Sequence, residues 1–448
     1  MKLKLYPEYK DSGVEWIGEI PQNWEMRRLK YNCSVNPPGK KSLSDPKTKV
    51  NFLPMEKVSE EGDYDLESKT EYENVSSGYT YFEDNDVLLA KITPCFENGK
   101  GAFVENLKYG FGFGTTEFHI LRYGAEMYPK YLFFLTKSHL FRVIGEAFME
   151  GAAGQKRVST DFVKNFPMPT PSMAEQKLIV NYLGKKTSEI DLTIEKDTRL
   201  IELLKEKRTA LINHVVTKGL DPTVKMKDSG VEWIGEIPEE CEITRLKFFT
   251  SLFGGYAFKS NDFSDSGIQL IRIGNLYKNR LALERKPVYL PKDYSEIYPQ
   301  YLLRKGDIII SMTGTVNKED YGYTVQIGST KPFLMNQRVG KFRVDETKIN
   351  KKYFKYVLES RIFLDSLYSI PSGTKQANLS PENILNIKIY VFHLSKQQEI
   401  VDYLDEKTHQ IDKTIQKIQE NIELLEEYKK SLIHHVVTGK VDVREVAV

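Results

Sequence analysis

From Val180 onward, apolar residues recur three and four positions apart: Val180, Leu183, Ile190, Ile194, Ile201, Leu204, Leu211 and Val215, with Thr187, Asp197 and Arg208 completing the series. That spacing, held for five heptads, predicts a long helix with a coiled-coil seam. A second stripe reads Val401, Leu404, Thr408, Ile411, Ile415, Ile418, Ile422, Leu425, Lys429, Leu432 and Val436, with neither Pro nor Gly inside. At ~1.5 Å per residue each seam is roughly 50 Å long, which suits a ruler between two domains. Matching seams predict that the helices pack on each other. The polar interruptions, Thr187 with Thr408 and Arg208 with Lys429, are expected to fix register. Gly219 and Gly439 read as helix stops, and His214, His434 and His435 near those ends read as dipole or capping residues rather than metal ligands.

Elsewhere the pattern shortens. Asp86 to Ile92, Glu117 to Arg122, Ile268 to Ile273 and Asp307 to Met312 are β-branched runs bounded by turn residues, and predict strands. Pro129 to Phe148 and Lys351 to Leu367, rich in aromatics and Leu, predict helices. The expected module is α+β with a curved sheet.

These elements occur twice. Lys10 to Pro21, KDSGVEWIGEIP, recurs letter for letter at Lys227 to Pro238, and the helical stretch from Glu175 recurs from Lys396 at an offset of 221. Asp86 to Ala90 aligns with Asp307 to Ser311 at that same offset. The period is far longer than a solenoid repeat, so each copy is a domain plus a connector. The expected division is 1–173 and 223–394 as recognition domains, with 174–222 and 395–448 as helical spacers. Pseudo-twofold symmetry follows from such a duplication.

Composition adds bounds. With 40% hydrophobic and 28% charged residues in 448, the chain should fold, as more than one domain. It shows no apolar leader behind the first lysines and no stretch approaching ~18 apolar residues, so a soluble cytoplasmic protein without a membrane partner is expected. Cys33, Cys95 and Cys241 form no C-x-x-C pair, which argues against disulfides and a cysteine zinc site. The net charge of +2 (64 basic, 62 acidic) argues against a phosphate-binding surface until it is divided. Met26 to Arg157 holds 18 basic and 18 acidic residues, whereas Arg245 to Ser380 holds 22 basic and 12 acidic, a balance of +10.

Basic and amide side chains on Gly/Ser/Asn-rich turns are the means of contacting phosphates and base edges. In the second copy these are Lys259, Ser260, Asn261, Arg272, Lys278, Arg280, Lys318, Lys331, Arg338, Thr374, Lys375, Gln376 and Asn378. In the first they are Lys91, Thr93, Asn98, Lys100, Thr115, Thr116, Gln155, Lys156 and Arg157, with Gln155 and Gln376 in the same frame. Two catalytic look-alikes fail on their own chemistry. Asn36-Pro37-Pro38-Gly39 lacks the aromatic residue that a base-flipping methyltransferase would place after its prolines. Gly110 to Gly114 leads into a strand instead of opening a helix, as a nucleotide-cradling loop would. No catalytic residue and no P-loop is found. A stand-alone adenine-N6 DNA methyltransferase and a purely protein-binding coiled-coil scaffold are the rival readings.

With these residues in view, the whole chain resembles the specificity subunit of type I restriction-modification systems. The resemblance rests on DSGVEWIGEIP opening each half, the Gln155 and Gln376 segments, Ala174-Glu175-Gln176, and heptad helices ending in LINHVVT and LIHHVVT. Lys396-Gln397-Gln398 is the departure, standing where the first half has Ala174-Glu175-Gln176. The resemblance implies two target-recognition domains, each reading half of a split asymmetric site on double-stranded DNA. It also implies antiparallel helices that set the unread spacer and dock two modification subunits, with restriction subunits joining the complex. S-adenosylmethionine would then sit on the modification subunits and ATP with Mg on the restriction subunits, leaving this chain without a cofactor.

Overall fold

A computed structural model describes residues 4–39, 41–152, 154–230, 235–370 and 375–445. The chain forms two compact units, Met1–Thr198 with Gln419–Val448, and Arg199–Ile418.

Each unit is built on two four-stranded sheets with the same strand order. In the first unit, one sheet runs Cys33–Val35, Phe118–Tyr123, Val87–Ala90, Gly101–Phe103. Its counterpart in the second runs Thr250–Gly254, Val339–Val344, Ile308–Ser311, Thr324–Gln326. Register is kept to the residue: Val87 faces Leu121, and Ile308 faces Phe342. The other sheets are ordered Lys69–Glu71, Lys49–Leu53, Phe111–Gly114, Thr80–Glu83, and Tyr289–Leu290, Ile268–Ile271, Phe333–Met335, Leu302–Leu303. Each contains one parallel pair, Lys49–Leu53 with Phe111–Gly114 and Ile268–Ile271 with Phe333–Met335. The four predicted strands are present, displaced by up to two residues at their ends.

The strands Val87–Ala90 and Ile308–Ser311 are buried along their whole length. Their β-branched and Leu residues therefore run without alternation, as expected of strands covered on both faces. The preceding Asp86 and Asp307 close the same turn, accepting from Glu83 N at 2.7 Å and Arg304 N at 2.9 Å.

The two domain helices are each broken where a single helix was expected. Pro129–Lys137 ends before Ser138, which caps His139–Ala147 by accepting from Phe141 N; Ser360 separates Lys351–Glu359 from Arg361–Tyr368 by accepting from Phe363 N. The serine hydroxyl satisfies an amide that a continuous helix would otherwise bond, so the chain restarts there.

The long helices span Met173–Lys218 and Leu394–Val437. Their seam residues are buried or half-buried throughout. In the first unit Asp191 pairs with Lys429 at 2.6 Å and Asp197 accepts from Asn421 at 2.9 Å, so the segments run antiparallel. In the second, Arg208 pairs with Asp412 at 3.2 Å. Arg208 and Lys429 thus form the same interhelical ion pair in the two copies. The seam threonines do something else: Thr187 and Thr408 donate to Leu183 O and Leu404 O one turn back in their own helices.

Gln176 and Gln397 are the equivalent residues at the helix starts, which corrects the alignment of Lys396-Gln397-Gln398 by one position. Both are fully buried; Gln176 Oε1 accepts from Tyr128 N and Gln397 Oε1 from Asn350 N, each at 2.7 Å. Each glutamine ties the residue preceding a domain helix to the head of a long helix. Lys218, the last residue of its long helix, and Lys440, just past the other, donate to Glu236 O and Glu19 O of the repeated Glu-Ile-Pro strand. The letter-for-letter repeat is in this way bonded to both helix ends. Val231 to Ile234 of the second copy lie outside the described residues.

The look-alike motifs have structural roles. Asn36 holds a positive φ of 55° and exchanges bonds with Ile120, its N donating to Ile120 O at 2.7 Å and its Oδ1 accepting from Ile120 N at 2.9 Å. Gly112 and Gly114 lie within a buried strand, where a Cβ would meet the Phe82 ring and, at 2.8 Å, Leu53 O. Among the described residues no helix is long and apolar enough to cross a membrane.

Candidate nucleic-acid interface

In the first unit, three connections meet at one end of the sheets. Lys91 leaves the strand Val87–Ala90, donates to Glu117 O and accepts from Val158 N, both at 2.9 Å. Thr93 N donates to Lys156 O at 3.0 Å, and Ala90 N to Lys100 O at 3.1 Å. Thr115 N reaches Leu53 O at 3.3 Å. Lys91, Thr93, Asn98, Lys100, Thr115, Thr116, Gln155, Lys156 and Arg157 are therefore brought together from segments far apart in sequence. Asn98, Thr116, Gln155 and Lys156 are exposed; Lys91, Thr93, Lys100, Thr115 and Arg157 are half-buried.

Four of these side chains are already engaged: Lys100 Nζ donates to Met55 O at 3.4 Å and Thr115 Oγ1 accepts from Glu117 N at 3.3 Å, and Arg157 and Thr93 are held by carboxylates. Arg157 makes a two-pronged pair with Glu117, 2.9 Å on each side, which holds the Glu117 carboxyl below its usual range. Thr93 Oγ1 donates to Glu97 at 2.8 Å. A planar guanidinium and a carboxylate matched this way form a charge-assisted pair, so Arg157 orients the 155–157 segment in addition to lending charge.

The second unit repeats the frame. Thr313–Thr315 pairs with Gln376–Asn378, setting Thr313 opposite Asn378, as Ile92 stands opposite Arg157 in the first. Leu379 N donates to Met312 O at 2.9 Å, the counterpart of Val158 N to Lys91 O, and Met312 N donates to Arg338 O at 3.0 Å. Arg338, Lys375, Gln376 and Asn378 are thus neighbours and exposed, with Asn378 Oδ1 accepting from Thr313 Oγ1 at 3.2 Å. Lys318 follows the Thr313–Thr315 strand and is exposed. Thr374 lies outside the described residues.

Lys278 and Arg280 occupy a hairpin between Leu276–Tyr277 and Arg280–Leu281 whose two turn residues, Lys278 and Asn279, have φ of 50° and 60°. Positive φ at both positions is the type I′ turn that suits the strand twist. Asn279 Oδ1 accepts from Thr324 N at 2.9 Å and ties the hairpin to the sheet. The corresponding hairpin of the first unit, closed by Val58 opposite Tyr64, carries Glu60, Glu61 and Asp63. This single element accounts for much of the charge difference between the modules.

Five candidates stand apart. Lys259, Ser260 and Asn261 are exposed on a separate short turn, where Lys259 N donates to Asp262 at 3.2 Å. Arg272 turns inward, its Nη2 donating to Lys286 O at 2.6 Å. Lys331 precedes the strand Phe333–Met335 while Arg338 follows it, which puts the two at opposite ends.

The structure adds residues that sequence reading passed over. Arg285 lies 4.0 Å from the centre of the exposed Tyr277 ring, a cation–π contact. Tyr256, exposed beside Asn336, heads a cluster with Tyr298 and Tyr301. The Tyr-Lys-Asn-Arg run at 277–280 carried a signal, an aromatic beside two cations in a turn; Arg285 carried none.

Two copies of one module, each gathering polar loop residues at a sheet end and each bonded to helices with equivalent ion pairs, define a duplicated reader protein. The chain belongs to the family described as type I restriction modification DNA specificity domain, whose model matches residues 21–204 and 238–424. It is 27% identical over 484 residues to the type I restriction enzyme EcoAI specificity subunit of Escherichia coli, spanning 90% of this chain and 80% of that one. It is 30% identical over 323 residues to the MjaVIII specificity subunit of Methanocaldococcus jannaschii, spanning 70% and 71%. Two solved structures share the fold. One, from work on complex assembly and conformational transition of the type I R-M system, has a TM-score of 0.71 at 16% identity, covering 94% of this chain and 99% of that one. The HsdS subunit from Thermoanaerobacter tengcongensis has a TM-score of 0.53 at 16% identity, covering 94% and 98%.

Proposed function

We propose that this chain is the DNA-reading subunit of a type I restriction-modification complex, each unit reading one half of a split, asymmetric site. One observation carries the reading: strand order and register are repeated to the residue, while the loops at the same sheet end differ in length, charge and side chains. A repeated frame with unlike loops serves a partner that repeats its docking surface and a DNA site that does not repeat its sequence. The chain itself carries out no chemistry in this reading. Two modification subunits dock on the helices and bind S-adenosylmethionine, and restriction subunits bring ATP and Mg. The positions of Asn36 and of Gly112 and Gly114 support this over a stand-alone methyltransferase, because Asn36 is bonded through backbone and side chain to Ile120 of a strand and the two glycines lie inside a buried strand.

The test is to express the chain with the modification subunits of its system in a methylation-free host and map the methylated bases. A two-part motif with a fixed unread spacer is expected, lost when the chain is omitted. Methylation by the chain alone, or a single undivided motif, overturns the reading.

A further inference from the structure

The loop from Thr93 to Lys100 carries three of the first unit's candidate contacts, and the structure shows what holds it. Its amides are satisfied internally: Phe96 N bonds Ile92 O, Asn98 N bonds Pro94 O, Gly99 N bonds Phe96 O and Lys100 N bonds Cys95 O, all at 2.9–3.0 Å. Its carbonyls are held from beneath. Arg142, buried in the helix His139–Ala147, donates through Nη1 to Phe96 O at 2.9 Å and through Nη2 to Gly99 O at 3.3 Å. Lys137, at the end of the preceding helix, donates to the same Gly99 O at 2.8 Å and to Glu60 O at 2.6 Å. The Arg142 guanidinium also lies over the buried Phe96 ring at 5.0 Å. Gly145 admits that ring, since a Cβ there would come within 2.3 Å of it.

A buried arginine is costly unless its donors are met. No carboxylate is within ion-pair distance of Arg142 among the described residues, so its charge is spent on two carbonyls of one surface loop. The second unit shows that the fold does not require this. Aligning the capping serines, Ser138 with Ser360, puts Glu359 at the place of Lys137 and Leu364 at that of Arg142. There the loop is held instead by the Tyr368 hydroxyl on Tyr321 O at 3.1 Å and by Arg361 with Glu319 at 3.0 Å.

We infer that Arg142 and Lys137 are positioning residues for DNA recognition by the first unit, fixing the 93–100 loop so that Asn98 and Lys100 are presented in one conformation. The inference rests on the proposed DNA-reading function. Arginine's rigid fork spans the two carbonyls, which a lysine at the same place cannot do.

The experiment maps methylated motifs for complexes assembled on the wild-type chain, Arg142→Lys, Lys137→Met and Asn98→Ala, with a thermal melt of each. Asn98→Ala identifies the half-site read by the first unit. Arg142→Lys and Lys137→Met are expected to relax base preference by roughly tenfold in that same half-site, within the range that one base contact discriminates, and to leave the other half-site unchanged. Wild-type preference in both halves for a folded Arg142→Lys overturns the inference. Should Arg142→Lys fail to fold, Lys137→Met decides: an unchanged motif, or equal loss in both halves, overturns it. A wild-type complex that modifies no two-part motif overturns the functional reading and the inference with it.

Discussion

His434 and Asn213 occupy equivalent places near the ends of the long helices, and they show how one substitution changes the pH response of a repeated frame. Asn213 Oδ1 accepts from Arg361 N at 2.7 Å, at the start of the second unit's capped helix. His434 has a buried Nδ1 with no partner among the described residues. Burial, together with His435, His139 and Lys440, pushes its imidazole down to about 4. The expected dipole-complementing cation at this position is therefore a neutral ring. The unfolded chain takes up a proton near the ordinary ~6.5 while the folded chain refuses it until about 4, so stability falls as pH falls through that window. The loss should be about 1–2 kcal/mol once the ring's partial exposure is discounted. His434→Asn should flatten this acid limb, measured as melting temperature at pH 7 and pH 4.5; parallel slopes for the two proteins would dispose of the assignment. The sequence could place His434 at a helix end with His435 and Lys440 near it in the chain, but its burial and the approach of His139 depend on packing and were not visible there.

At the scale of elements, the long helices were the most legible part of the chain, because a seam is written in consecutive heptads. The breaks at Ser138 and Ser360 were not, since aromatic and Leu residues continue through both and only the capping hydroxyl marks the restart. Register was half legible: Arg208 and Lys429 stood out as polar seam residues, but their partners Asp412 and Asp191 lie on the other helix. The candidate loops were located by their turn residues, whereas the Arg157–Glu117 pair and the inward turn of Arg272 depend on contacts across the sheet and within a loop. Inserting one heptad after Asp197 and one after Ile418, near the divide between the units, keeps every seam residue in phase. It adds ~10 Å of helix, or about three base pairs at ~3.4 Å each. The methylated motif should keep both halves and gain roughly that spacer, and an unchanged spacer would end the ruler idea. A four-residue insertion rotates the seam and should abolish assembly.

For the whole molecule, a total of +2 conceals unlike halves, 18 basic against 18 acidic residues in the first module and 22 against 12 in the second. The count was available from the sequence, as was the crowding of acids between Glu56 and Glu73; what was not visible is that about half of the difference falls on one pair of corresponding hairpins, acidic at Glu60, Glu61 and Asp63 and basic at Lys278 and Arg280. Phosphate contacts release counterions, so each cation that touches DNA adds about one to the slope of log affinity against log salt. Lys375→Glu, next to Gln376 on the repeated strand pair, should weaken binding in the assembled complex roughly tenfold at moderate salt and lower that slope by about one. Lys331→Glu, at the opposite end of its strand, changes net charge identically and should leave the slope unaltered. Fluorescence anisotropy of a labelled duplex over a salt series separates these outcomes. If the two variants lose affinity equally, diffuse net charge governs binding, and the sheet end where Arg338, Lys375, Gln376 and Asn378 meet is not the DNA-facing one.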